Sequence, residues 1–323
     1  MQPITEAQMY LTRQCNLRCG YCKLVRDDMD ELSLTDWQRA YENLKQIGIK
    51  TVKLLGGEPT IKPWLPELLR YSHHVGLKTA VLSNSLFADE TLQDLVDGGM
   101  WGYFASVDGI EAIKTIDQDA SKKSKNGYQM LRKLKEHGVP LLAANVVINK
   151  TNMWEIPEVV QRLSDEGFYS NLCTIQYTTN EEKEFCRTTL SDEYRFTEQD
   201  RPALQELAQT LIDLKRSGVK ISIPESYLRD MPQYAVYSDW QCETPVQLRV
   251  DADGGLMLCN EYRTSLADTY NITTLTPERY AQFLQDWQTV RASLECDGCY
   301  WSCFLQAEEN LQQGKLEFTY FSS

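Results

Sequence analysis

Three cysteines stand close together in the segment Cys15-Asn16-Leu17-Arg18-Cys19-Gly20-Tyr21-Cys22. Three thiolates at this spacing can take three corners of a cubane iron–sulfur cluster and leave its fourth iron without a protein ligand. An open iron can bind and activate a molecule, whereas a fully ligated cluster only passes electrons. A structural zinc loop is the plainer alternative. Zinc wants four N or S ligands, commonly from C-x2-C pairs; one such pair occurs here, with no His beside it. Five further cysteines, Cys242, Cys259, Cys296, Cys299 and Cys303, collect toward the C-terminus. Four thiolates saturate one cluster. The set therefore reads as one closed 4Fe–4S site on Cys242, Cys259, Cys296 and Cys299. Cys303 is then surplus, or stands in for Cys299 or Cys296. A zinc ribbon would use the same residue types.

Other polar residues sit where strands are expected to end. Gly56-Gly57-Glu58-Pro59 follows the second strand. Two glycines let backbone approach a ligand closely, and Glu58 offers a carboxylate to an ammonium group. Asn84, Ser106 and Asp108 close the next strands, Asn145 lies on the fifth, and all four are candidate cofactor contacts. Cys173 and Cys186 are loose thiols. His73, His74 and His137 fall on helices or their ends and receive no catalytic role.

The elements that must carry these residues repeat one pattern from residue 8 to about 178: a short apolar strand, an amphipathic helix, then Gly. Strands are expected at 8–12, 51–55, 77–82, 103–107, 141–148 and 172–177. Helices are expected from about 35, where Thr35 and Gln38 have capping-box spacing, and at 65–75, 90–97, 128–137 and 154–166. Leu34, Trp37, Tyr41, Leu44 and Ile47 form one stripe, and Gly48 ends that helix. Strands apolar along most of their length suit a parallel sheet covered on both faces. The expected fold is thus α/β, a partial (β/α)6 TIM-like barrel with chemistry at the C-terminal strand ends. A helix at 201–217 follows a polar stretch. Asp253-Gly254 between apolar runs 248–251 and 256–259 signals a hairpin. The expected domains are a barrel core at 1–180, a linker and helical segment at 181–240, and a small Cys-rich auxiliary domain at 241–323.

The 323 residues allow one large domain or two ordinary ones. A 42% hydrophobic and 24% charged composition suits a globular protein with a real core. The net charge of −13, with no Lys/Arg-rich block, argues against a nucleic-acid partner. No signal-like start and no apolar run near the roughly 18 residues of a membrane helix are visible, so a cytoplasmic protein off the membrane is expected. In that compartment ten cysteines read as metal ligands or catalysts more readily than as disulfides.

The cysteine triad, with Tyr21 as the aromatic residue before its last member, resembles the C-x3-C-x2-C signature of the radical S-adenosylmethionine (SAM) superfamily. GGEP at 56–59 is similar to the element that lies along the methionine part of the cofactor. Ser83-Asn84 resembles the family's Thr-Asn-Gly, with Ser85 in place of Gly. Ser106-Val107-Asp108 resembles its Ser-x-Asp, which faces the ribose and carboxylate of SAM. Cys242, the Gly254-x4-Cys259 hairpin and Cys296-x2-Cys299 resemble the SPASM and twitch auxiliary domains. Five cysteines are too few for the seven of a full SPASM domain. The resemblance implies two 4Fe–4S clusters, SAM, a 5′-deoxyadenosyl radical that abstracts a substrate hydrogen atom, and a low-potential flavodoxin or ferredoxin reductant. Arg13, Arg18 and Lys23 could offer that acidic carrier a basic patch. Cys173, Cys186 and Cys303 would be hydrogen-donor candidates. The expected reaction is oxidation or rearrangement of a small molecule. A triad starting at residue 15 leaves no room for an N-terminal peptide-recognition domain, which tilts the expectation away from maturation of a ribosomally made peptide (cross-linking, epimerisation or decarboxylation). A methyltransferase, and from another class a non-catalytic iron–sulfur electron carrier, are the competing readings.

Overall fold

The computed structural model describes residues 4–25, 29–109, 118–177, 193–242 and 245–312. Cys186 lies outside them. In chain order the elements are β1 (Glu6–Thr12), α1 (Leu34–Gln46), β2 (Thr51–Gly56), α2 (Leu65–Val75), β3 (Lys78–Ser83), α3 (Asp89–Asp97), β4 (Gly102–Ser106), α4 (Gln118–Glu136), β5 (Leu141–Ile148), α5 (Ile156–Asp165) and β6 (Tyr169–Thr174). Then follow α6 (Arg201–Arg216), α7 (Glu225–Tyr237), β7 (Leu248–Val250), β8 (Leu256–Met257), α8 (Thr264–Thr269), α9 (Pro277–Ser293) and α10 (Ser302–Gln312). One sheet runs β6-β5-β4-β3-β2-β1-β7-β8. All neighbouring pairs are parallel except β7–β8. This is the expected partial barrel of six βα units. Among the described residues, no helix is long and apolar enough to cross a membrane.

Alternation along the strands divides the barrel wall. Ala7, Met9 and Leu11 of β1, Val52 and Leu54 of β2, and Leu142, Ala144 and Val146 of β5 pack outward against the helices. The opposite face carries Gln8 and Tyr10, Lys53 and Leu55, Leu82, Ser106, Asn145 and Cys173 at corresponding positions. Its floor is sealed by Ala80, Phe104, Leu141 and Ala143, with the Lys53–Glu6 ion pair (3.0 Å) nearby. A helix buried along one stripe and a parallel strand buried on both faces are what the sequence periods require.

Local differences from expectation have local causes. Helix α1 is capped by Ser33, not set by Thr35: Ser33 Oγ accepts the Asp36 N–H and the Asp36 carboxylate accepts the Ser33 N–H. Helix α4 begins about ten residues before the expected 128, because its first turns carry no apolar stripe to read. Strand β6 is shifted three residues toward the N-terminus. Helix α7 contains Pro232, a residue that normally ends a helix.

The C-terminal hairpin strands pair into the barrel sheet: Ala7, Gln8 and Met9 of β1 stand opposite Leu248, Arg249 and Val250 of β7. Hydrogen bonds therefore cross the boundary expected at 240/241. Arg13, just after β1, forms an ion pair with Asp251 at 2.6 Å, and both side chains are fully buried. Arg13 is thus unavailable to a surface patch, whereas Arg18 and Lys23 are exposed.

Candidate active site

A cavity of about 290 Å³ lies at the C-terminal ends of the strands. Tyr10, Leu55, Leu82, Ser106, Asn145 and Cys173 line it from β1 to β6, and the loop after β1 brings Cys15, Cys19, Tyr21 and Cys22 to the same space. That loop is held by local hydrogen bonds. The Cys22 N–H donates to the Cys19 carbonyl (3.0 Å). The Arg18 guanidinium donates to the carbonyls of Cys15 (2.6 Å) and Leu17 (3.0 Å). The Leu17 N–H points at Cys15 Sγ (3.4 Å), and Asn84 Nδ2 reaches Asn16 Oδ1 (2.7 Å) and lies 3.8 Å from Cys15 Sγ. N–H groups aimed at sulfur are what a cluster thiolate needs, since such bonds tune its potential. The donor set and its surroundings therefore fit a 4Fe–4S cluster on Cys15, Cys19 and Cys22. Burial pushes the free Cys15 thiol above its ordinary value, against the Leu17 N–H. Metal binding there would release a proton.

The glycines of GGEP have a structural task beyond ligand approach. Gly56 has φ +147°, and a Cβ on it would lie 2.3 Å from the Thr12 carbonyl oxygen. A Cβ on Gly57 would lie 2.0 Å from the Gln14 carbonyl oxygen. The close approach is made to the backbone directly before Cys15, and the Gly57 and Glu58 N–H groups donate to Thr12 O (2.8 Å) and Gln14 O (2.9 Å). Both glycines still border the cavity. Glu58 borders it too, but is 1% exposed. Its Oε1 accepts from the Thr60 hydroxyl (2.7 Å), the Thr60 N–H (3.1 Å) and the Ser83 hydroxyl (2.8 Å), and its Oε2 from the Asn84 N–H (2.7 Å). The carboxylate thus ties the loop after β2 to the end of β3. Burial raises its pKa against those four bonds.

Ser85 adopts φ +63°. This is the left-handed region glycine enters without cost; here the Ser85 hydroxyl bonds that of Tyr103 (2.8 Å).

Asp108 is not a cavity residue as expected. Its carboxylate stands behind the wall, satisfied by the Tyr21 hydroxyl (2.6 Å), the Lys123 ammonium (2.9 Å) and the Val147 N–H (2.9 Å). Lys123 does line the cavity, buried on α4, and sequence reasoning missed it. Ser106 and Asn145 line the cavity side by side in register, with Asn145 Oδ1 accepting from Asn171 (2.8 Å). Burial raises the Cys173 thiol to about 12, so it stays protonated at neutral pH.

A second pocket is lined by Cys242, Cys259, Cys296 and Cys299. Cys242 follows α7, Cys259 follows β8, and the other two lie between α9 and α10. Trp240, Trp287, Trp301 and Phe304 enclose them. The Glu261 N–H donates to Cys259 Sγ (3.3 Å) and the Gly298 N–H to Cys296 Sγ (3.4 Å). Four thiols thus line one aromatic pocket, and two of them, Cys259 and Cys296, have a backbone N–H aimed at sulfur. Burial pushes Cys259 up to about 12 and raises Cys242. Cys303 lines neither the pocket nor the cavity. It sits on α10, with Arg249 Nη2 3.6 Å and Asn260 Nδ2 4.0 Å from its sulfur.

Residues 9–163 match the radical SAM superfamily. The chain is 29% identical over 162 residues to the PqqA peptide cyclase of Bradyrhizobium diazoefficiens, covering 48% of this chain and 42% of that relative. It thus spans about two-fifths of that protein's length. It is 27% identical to the GTP 3′,8-cyclase of Synechococcus elongatus, over 78% of this chain and 79% of the relative. The solved structure of native anSMEcpe with bound AdoMet and Cp18Cys peptide superposes with a TM-score of 0.65, covering 95% of each chain at 14% identity, which shows a shared fold.

Proposed function

With residues 9–163 established as a radical SAM superfamily domain, we propose that this enzyme oxidises its substrate after removing a hydrogen atom from it, using a second cluster near the C-terminus. The observation that carries this reading is the convergence of Cys15, Cys19, Cys22, Glu58, Lys123, Ser106 and Asn145 on one cavity. A 4Fe–4S cluster and SAM, when bound, supply a 5′-deoxyadenosyl radical for hydrogen abstraction. The three cysteines of the β1 loop hold that cluster, and the buried Lys123 ammonium holds the SAM carboxylate. Ser106 and Asn145 bond the sugar hydroxyls, and the apolar side chains of Leu17, Leu55, Leu82 and Val147 exclude water from the reacting carbon. Glu58 acts by fixing the two loops that border the cofactor. Cys242, Cys259, Cys296 and Cys299 hold the auxiliary cluster. The exposed Arg18 and Lys23 receive an acidic flavodoxin or ferredoxin.

Similarity to the PqqA peptide cyclase, and the fold shared with a structure holding a peptide, favour a peptide as substrate. Longer coverage of a GTP cyclase keeps a small molecule in view. Anaerobic incubation with dithionite and SAM tests the class. The expected product is 5′-deoxyadenosine, from protein holding about eight irons and eight sulfides per chain. Absence of that product would favour a simple electron carrier, and S-adenosylhomocysteine a methyltransferase. Cys242→Ala with Cys259→Ala is expected to halve the iron while leaving SAM cleavage intact.

A further inference from the structure

We propose that Trp301 is the electronic link between the substrate cavity and the auxiliary cysteine pocket, an inference that rests on the reading that those four cysteines hold an iron–sulfur cluster. Among the described residues lining the two spaces, Trp301 alone lines both. Two short routes lead from its indole to cysteine sulfur. By hydrogen bonds, Trp301 Nε1–H donates to Glu261 Oε1 (2.7 Å), and the Glu261 N–H donates to Cys259 Sγ (3.3 Å). Along the chain, only Tyr300 separates Trp301 from Cys299.

The wall carrying the indole is fixed from the cavity side. Gln176, itself a cavity residue, clamps the Tyr300 backbone: the Tyr300 N–H donates to Gln176 Oε1 (2.6 Å) and Gln176 Nε2 donates to the Tyr300 carbonyl (2.8 Å). Tyr300 is also stacked on Tyr227, with ring centroids 4.5 Å apart. Electrons tunnel more readily through bonded and packed atoms than across solvent, and this wall offers such a medium where the two sites meet.

The electron count closes. Hydrogen-atom abstraction leaves a carbon-centred radical on the substrate. That radical loses one electron to the auxiliary iron–sulfur cluster and one proton to solvent, giving a closed-shell product oxidised by two electrons overall. Trp301 mediates the transfer and is unchanged at the end. It is a positioning residue for the electron, and its effect belongs in transfer kinetics.

The test uses the holoprotein without substrate. Laser-flash photolysis of 5-deazariboflavin delivers one electron to the cluster of the exposed Cys15–Cys22 loop, and freeze-quench EPR follows its arrival at the second cluster. Wild type is expected to show a first-order transfer phase independent of protein concentration. Trp301→Ala is expected to lose or greatly slow that phase, and Trp301→Phe to slow it less, with both EPR signals retained. Trp240→Phe, altering an aromatic that lines only the cysteine pocket, is expected to leave it unchanged. An unchanged rate in Trp301→Ala, equal slowing in Trp240→Phe, or no transfer phase in wild type would overturn the inference. Wild-type protein with only four irons and one EPR signal would instead overturn the auxiliary cluster itself.

Discussion

At the scale of single residues, Lys123 and Asp108 show how a cavity wall acquires charge. The ammonium and carboxylate are 2.9 Å apart and nearly inaccessible to solvent. Removing one partner of a buried pair leaves the other uncompensated, at a cost of about 3–5 kcal/mol. Asp108→Asn is expected to lower stability by that order in urea denaturation, and Lys123→Met in the Asp108→Asn background to recover part of it. Lys123→Met alone is expected to weaken SAM binding in calorimetry while the iron content of the first site stays unchanged. The cysteine triad stands out in the sequence because three thiols occur at fixed spacing, whereas Glu58 was read as a free carboxylate and only the fold shows it bonded to Thr60, Ser83 and Asn84. Asp108 was legible as a strand-end acid, but only the fold shows that it faces Tyr21 and Lys123. Lys123 could not be read, because a lysine in a polar tract looks the same whether it meets water or a buried carboxylate. Trp301 did leave a signal: an aromatic residue between Cys299 and Cys303 is a natural neighbour for a cluster.

At the scale of elements, the loops after β1 and β2 form one unit. A Cβ on Gly57 meets the Gln14 carbonyl oxygen at 2.0 Å, a clash with backbone that no rotamer relieves. Gly57→Ala is expected to push the Cys15 loop away and to lower iron bound at the first site, read by iron analysis, while auxiliary iron remains. Glu31 fastens the same unit from the other side, bonded to the Thr12 hydroxyl (2.7 Å), the Arg13 N–H (2.7 Å) and Lys62 (2.5 Å). Burial alone would raise its pKa, but these bonds prevail and hold it below the ordinary value of 4.5. A carboxylate with a depressed folded pKa adds stability above its unfolded pKa and loses it as pH falls through the folded one. Cluster-free protein is therefore expected to lose thermal stability below about pH 4.5 more steeply than Glu31→Gln. Strand β5 and helix α2 were readable to the residue because apolar period and glycine punctuation agree. The start of α4 and the Pro232-bearing α7 were not, since tertiary packing there overrides local preference.

At the scale of the whole molecule, β7 joins the N-terminal strand to the Cys-bearing region that follows α7. The hairpin turn was legible, but its pairing with β1 was not: three residues of β7 carry too little pattern to name a partner. The buried Arg13–Asp251 pair reinforces that seam, and Asp251 also accepts from Arg263 at 2.5 Å. Asp251→Asn is expected to cost roughly 3–5 kcal/mol and to lower iron occupancy at Cys15, Cys19 and Cys22, although none of them touches the substituted side chain. The seam also sets an order of events during biosynthesis. The first strand leaves the ribosome long before Leu248–Val250 is translated; at about 5–20 residues per second, that wait is on the order of ten to fifty seconds. Until then β1 keeps one edge unpaired and Arg13 lacks Asp251, the carboxylate that neutralises it in the fold.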